Sequence, residues 1–336
     1  MIYDVVLLHC LSLQDFQSTS QSLVPFLSPK ATVVIESSGY VNLEPFITLS
    51  LPDMKNLSVV SIMNEFDIKK TSMNSYYHKI RGSDSRLYLG HPTNPKNLSL
   101  KNFVKAVRSM HESMRDYTSL LIANLSKEFQ TYQWKLALPR IIFNPLMVVF
   151  ETPFPEQLSK QILAKPLVSG LISELFKIIK KMECKLVKGT ESEANMWKSW
   201  IEMYPEVALK GEDYLDLPAL FYNFARKQDM SIDLLLLQPI LLADDNGIRT
   251  PYLENLYLIM CQYIKINVSK DSLFFMRKSA NNTAFSDEEY QKLTQDYEHK
   301  SENISGLTKE LEGLQLRLND MGATYANLEA KARDID

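Results

Sequence analysis

Glycine is scarce in this chain, with ten among 336 residues. Phosphate-cradling loops use glycine where backbone must approach a pyrophosphate, so the scarcity argues against a nucleotide-binding enzyme. Cysteine is scarcer still. Cys10, Cys184 and Cys261 are widely spaced and odd in number, which argues against a disulfide framework or a zinc cluster and fits reduced thiols in a cytosolic protein. The five histidines, His9, His78, His91, His111 and His299, share no ligand spacing with a cysteine or carboxylate, so no metal site is expected. Excess charge is lacking too. A net charge of -3 gives no global pull toward nucleic acid, and none is expected as a partner. No apolar run reaches transmembrane length, and MIYDVVLLHC lacks the basic start and cleavage region of a signal peptide.

What the chain does have is enough hydrophobic residues, 45%, for a real core, and room for two domains plus an extension. The extension carries the sharpest pattern. Apolar residues recur in a three-four alternation at Tyr290, Leu293, Tyr297, Ile304, Leu307, Leu311, Leu314, Leu318, Met321, Tyr325, Leu328, Ala332 and Ile335, broken only by Lys300. A 3.5-residue repeat puts these side chains on one seam, and a seam that long needs a partner helix. The partner is a second copy or another coiled-coil protein. The competing reading is a long helix folded back on its own domain. Ser286 and Glu289 form a capping box at its start. No stop signal precedes Asp336, so the parent protein is expected to continue.

Upstream, two patterns follow one another. Ile2 to Cys10, Ala31 to Glu36, Leu57 to Met63 and Arg86 to Leu89 read as strands, and Gln14 to Phe26 as a helix. Continuous apolar strands alternating with a helix predict a parallel sheet covered on both faces. His91 to Leu100 reads as a loop. Helical spacing then covers Leu100 to Tyr117, Ser119 to Gln130, Trp134 to Phe150, Lys165 to Leu186, Asp216 to Gln228, Ser231 to Ala243 and Pro251 to Ile266. Asp244 to Gly247 is a turn. The expected layout is α/β over residues 1–95, all-α over 96–268, a linker over 269–285 and a coiled-coil helix over 286–336.

Four stretches, in this order, carry a family resemblance: YDVVLLHCLSLQDFQSTSQSLVPFLSP, VVIESSGYVNLEPF, QWKLALPRIIFNPLMVVF and SIDLLLLQPILLADDNGIRTPYLENLYLIM. Together they resemble the ketopantoate reductases, a family of 6-phosphogluconate-dehydrogenase-like enzymes. The third stretch is similar to that family's W-x-K-L-x-x-N-x-x-x-N-P-L helix, and the fourth to its E-I-D segment. The resemblance spans residues 1–266. It implies a truncated Rossmann-like domain that lacks its first βαβ unit, followed by the family's helical domain.

The departures from that pattern matter more than the matches. The family's G-x-G-x-x-G is expected upstream of Met1, and nothing in this chain supplies it. The resemblance places Leu11 where the family has a lysine, and Ser38, beside Gly39, where it has an asparagine. It places Leu136 at the general-acid lysine, Arg140 at the first asparagine of that helix, and Ser231 at the glutamate of E-I-D; Leu236-Leu237 replaces its N-G pair. Lys135 is one residue from Leu136, about 100° around the helix. Ketone reduction needs a proton donor at the carbonyl oxygen, and leucine cannot be one. The expectation is therefore a reductase-like pseudoenzyme with no catalytic residue and no cofactor. The alternative is an NADPH-dependent 2-oxo acid reductase of the 2-dehydropantoate 2-reductase type with Lys135 as its acid.

A reductase-like domain without the catalytic set, followed by a coiled coil, resembles a small group of fungal proteins found at sites of polarised growth such as the bud neck. That implies a cytoplasmic scaffold or adaptor in morphogenesis or membrane traffic, at the cell cortex or bud neck. The cluster of Lys177, Lys180, Lys181, Lys185 and Lys188 offers a surface for peripheral contact with anionic lipid. The same spacing also reads as the solvated face of an amphipathic helix.

Overall fold

A computed structural model describes residues 1–65, 67–70, 76–79, 86–90, 96–113, 119–123, 125–206 and 217–269, together with eleven residues between 306 and 322. The chain divides into two compact units, Met1–Asp271 and Ser272–Asp336.

The first unit opens with β1 (Tyr3–Leu8) and α1 (Leu13–Leu23). Ser12 caps α1, its hydroxyl accepting from Asp15 N at 3.1 Å. Then come β2 (Leu27–Glu36), α2 (Glu44–Ser50), β3 (Ser58–Asn64), the small pair β4 (Asp67–Lys70) and β5 (Tyr76–Lys79), β6 (Arg86–Leu89), α3 (Leu98–Ser113) and β7 (Ser119–Ile122). Strands β1, β2, β3, β6 and β7 form one sheet in that order. Along β2, Val33 and Ile35 face a core shared with Phe16 of α1 and Ile47 of α2. Val34, between them, faces Leu100 of α3. The period-two alternation of a strand thus feeds two helix layers.

Three sequence expectations change here. The sheet is not wholly parallel: β1, β2 and β3 are, but β6 runs antiparallel to β3 and carries the parallel β7 with it. The expected helix over Ser119 to Gln130 is β7 plus the first turn of the next helix, α4. A four-residue apolar run such as Ser119–Ile122 has no periodicity to decide its state, and pairing with β6 decides it. The sheet layer therefore reaches Ile122, beyond the boundary expected near residue 95. Leu98 to Leu100, expected in a loop, begin α3. At the opposite edge, β1 exposes Tyr3, Val5 and Leu7.

The helical layer is organised around α4 (Ser126–Val149), which buries fifteen residues despite Pro139 and Pro145 inside it. A helix buried nearly all round has no polar face, which is why its periodicity is weak. Packed on it are α5 (Pro155–Lys160), α6 (Ala164–Lys181), α7 (Glu193–Met203), α8 (Ala219–Ala225), a π-helical turn over Asp233–Leu237 that runs into α9 (Gln238–Asp245), and α10 (Pro251–Ser269). Trp197 and Trp200 of α7 meet Phe143, with ring centroids at 4.4 and 6.2 Å. The buried Glu174 of α6 accepts from Tyr252 N at 2.9 Å and Leu253 N at 3.0 Å, closing two of the unpaired donors at the start of α10.

In the second unit, Leu311, Leu314, Leu318 and Met321 are helical and 62–71% exposed. The other seam positions, Tyr290, Leu293, Tyr297, Ile304, Leu307, Tyr325, Leu328 and Ile335, lie outside the described residues, as does the expected linker beyond Ser269.

Candidate functional site

The turn that leaves β2, Ser37-Ser38-Gly39-Tyr40, faces the middle of α4 and the segment leading into the π-helical turn. Between them lies a cavity of about 500 Å³. Leu11, Ser38, Arg140 and Ser231 all line it. Four positions scattered over 220 residues of sequence thus meet at one place. The other two sequence candidates do not join them. Leu136 packs half-buried beside Met63, Tyr88 and Phe129. Lys135 turns to the strands, where its Nζ lies 2.7 Å from Glu65 Oε1 and 3.4 Å from Tyr88 Oη.

Each wall of the cleft has a local cause. Gly39 adopts φ +88, a conformation glycine reaches without strain. A Cβ there would also collide with the Arg140 side chain, which lies directly over it. The Ser38 hydroxyl is already engaged, accepting from Asn64 N at 2.9 Å. Glu36 receives Ser38 N at 3.0 Å and stands 3.3 Å from His9 Nδ1. Asp229 accepts from Ser231 N at 2.7 Å and holds Ser231 at φ +48, a strained backbone that only surrounding structure maintains. Burial pushes the Tyr40 hydroxyl above its usual pKa, against a downward pull from its hydrogen bond to Ser231 and from the Arg140 charge. Arg226 lies 5.3 Å over the Tyr222 ring on the far wall.

The sequence matched Asn144 to the last asparagine of the family's helix motif without making it a site candidate, and three further cleft residues escaped it. Asn144, one turn beyond Arg140 on α4, is 93% buried against the cleft, and its side-chain oxygen has no hydrogen-bond donor. Tyr40, Arg226 and Asp229 reach the cleft from segments with no motif of their own. The signal for Asn144 was the motif Asn144-Pro145-Leu146, together with its i, i+4 spacing from Arg140 on an otherwise apolar helix.

The family resemblance implies a dinucleotide whose phosphate loop would precede β1, and among the described residues no helix start follows a glycine-rich turn. A pyrophosphate needs open backbone N–H groups at a helix start that follows a glycine-rich turn. At α1 the turn is His9-Cys10-Leu11-Ser12, without glycine, and Ser12 already caps the helix. Asp15 in the first turn adds a negative charge there. Gly39, the one glycine lining the cleft, is covered by Arg140. No group of three or more His, Cys, Asp or Glu side chains among the described residues is placed to hold a metal ion.

Comparison with known proteins agrees with this architecture. Residues 128–263 match the family described as Ketopantoate reductase PanE/ApbA C terminal. Over its whole length the chain is 32% identical to Styryl dye vacuolar localization protein 3 of Saccharomyces cerevisiae, and over 84% of its length it is 35% identical to Protein PAM1 of the same yeast. It spans only 39% and 34% of those two relatives. Among solved structures, 2-dehydropantoate 2-reductase from Methylococcus capsulatus superposes with a TM-score of 0.58 at 18% identity, covering 82% of this chain and 78% of that one. That likeness shows the fold. Among the described residues no helix is long and apolar enough to cross a membrane.

Proposed function

We propose, from the membership of residues 128–263 in the ketopantoate reductase C-terminal family, that this chain is a non-catalytic, reductase-like adaptor. The observation that carries the reading is the fate of the proton donor. Leu136 stands at the position the family resemblance assigns to the acid, and the neighbouring Lys135 is held 2.7 Å from Glu65, outside the cleft lining. Among the described residues, a carbonyl bound in the cleft would find no lysine beside its oxygen. A fold can outlive its chemistry, so the reductase relatives do not restore the activity.

The adaptor half of the proposal rests on the seam. Leu311, Leu314, Leu318 and Met321 share one helical stripe and are exposed. Such a stripe associates with a second copy or with another coiled-coil protein. The match to yeast proteins of which one is named for vacuolar localization, with the fungal resemblance above, supports a cytoplasmic role in polarised growth, morphogenesis or membrane traffic, at the cortex or bud neck.

Titrating NADPH into the protein while following nucleotide fluorescence tests the non-catalytic half. The expected result is no saturable binding. Micromolar binding, followed by reduction of a 2-oxo acid that Lys135→Met abolishes, would instead establish the reductase.

A further inference from the structure

Away from the cleft, α3 carries an unbalanced charge. Lys101, Lys105 and Arg108 follow an i, i+4, i+7 spacing, which sets them in one row along the helix. The row borders a second cavity, of about 390 Å³, at the carboxyl ends of the paired strands β6 and β7. Leu89 of β6, Ile122 of β7, and Leu100 and Val104 of α3 form its apolar side, and these four pack together in a small core. Among the described residues no carboxylate lines this cavity. Glu112, one turn beyond Arg108, lies outside the lining. Nor, among the described residues, does any of the three cations make a side-chain hydrogen bond or ion pair. Like charges in a row repel, and an anion laid along them relieves that repulsion while pairing with each.

We propose that this groove docks an acidic linear segment of a partner protein, with one large apolar side chain seated against Leu89, Leu100 and Ile122 and acidic residues beside it paired with Lys101, Lys105 and Arg108. Charge complementarity and length select this occupant. Seven residues of helix advance about 10 Å, and an extended chain covers that distance in about three residues. A short acidic run therefore matches the row of cations. The apolar anchor, held in the cavity, fixes where that run sits. A flat lipid surface fits less well. Leu89 and Leu100 are 1% and 4% exposed, so only a group that enters the cavity meets them. A single nucleic-acid strand also fits less well, because no aromatic ring lines the cavity to stack a base. The groove goes beyond the seam: it gives the adaptor a second attachment point, whose binding weakens as salt rises.

Fluorescence anisotropy of two labelled peptides mixed with the full chain tests the groove. One peptide carries a phenylalanine followed by three glutamates, and the other the reverse order. The expected result is saturable binding of at least one of them. Replacing its glutamates with glutamine, or its phenylalanine with alanine, is expected to weaken binding about tenfold in each case. The double variant Lys101→Glu, Lys105→Glu changes exposed side chains only and is expected to lose binding by about tenfold or more. The double variant Lys180→Glu, Lys181→Glu makes the same charge change on α6 and is expected to bind as wild type does. Absence of saturable binding at millimolar peptide, equal affinity for the glutamine peptide, or equal weakening in the α6 variant would each overturn the proposal. Phosphatidylserine vesicles form the membrane arm. Vesicle binding that Lys101→Glu, Lys105→Glu abolishes, with no peptide binding, would overturn the proposal in favour of a lipid surface. Sedimentation and the NADPH titration read other parts of the chain, so failure here is distinguishable from failure of the adaptor reading.

Discussion

Glu65 Oε1 receives two hydrogen bonds of 2.7 Å, one from Lys135 Nζ and one from the Tyr88 hydroxyl. Glu65 follows β3, Tyr88 sits in β6 and Lys135 in α4, so one carboxylate oxygen joins the sheet to the helical layer. Tyr88 is fully buried and its hydroxyl pKa is pushed up, first by burial and then by this carboxylate. Glu65→Leu removes the acceptor from both partners, and the loss is expected to be about 2–4 kcal/mol of stability. Lys135→Met leaves the Tyr88 bond in place and is expected to cost about 1 kcal/mol. Urea denaturation of the two variants checks the order; equal losses would contradict the network.

Glu174 gives a pH dependence. Burial is the largest influence on its carboxyl and raises its pKa, against the opposing hydrogen bonds from Tyr252 N and Leu253 N. A carboxyl whose folded pKa lies above its unfolded pKa makes the folded state the stronger proton binder. Its contribution is fully present below the unfolded value and is lost as pH rises through the folded one. Thermal unfolding of wild type and Glu174→Gln from acid to neutral pH should show wild type losing ground relative to the variant as pH rises. A gap that is constant or widens in favour of wild type would refute the assignment.

Gly39 and Gly247 separate two costs. Both have positive φ, +88 and +67. An added Cβ meets Arg140 at Gly39 and open space at Gly247. Gly247→Ala should cost about 1 kcal/mol from backbone strain alone. Gly39→Ala should cost more, by the work of moving Arg140. Melting temperatures within error of each other would mean that Arg140 yields freely.

The seam makes the assembly prediction. Replacing Leu307, Leu311, Leu314 and Leu318 with serine removes about 2 kcal/mol or more of buried apolar surface per helix and turn. The expected result is a monomer in sedimentation with an unchanged near-ultraviolet spectrum for the first unit. Wild type sedimenting as a monomer at micromolar concentration would rule out the second copy as partner and leave another coiled-coil protein.

The sequence by itself determined the elements whose pattern is long and strict. β1, β2 and β3 were legible as apolar runs, and α6 and α10 by their helical period, because burial of a face imposes a repeat on the chain. Leu11, Ser38, Arg140 and Ser231 could be named as candidates from sequence, through the family resemblance. That they line one cleft was decided only by tertiary structure, since the turn after β2, the centre of α4 and the start of the π-helical turn are far apart along the chain. So was the state of Ser119–Ile122, too short to carry a period until β6 offered its edge. That Lys135 points away from the direction of Leu136 was read from sequence, but its partner was decided by the fold. A step of one residue turns a helix by about 100°, and the pull of Glu65 at 2.7 Å sets where that lysine points. Local patterns record which face is buried, whereas sites are made by long-range contacts that leave no period behind.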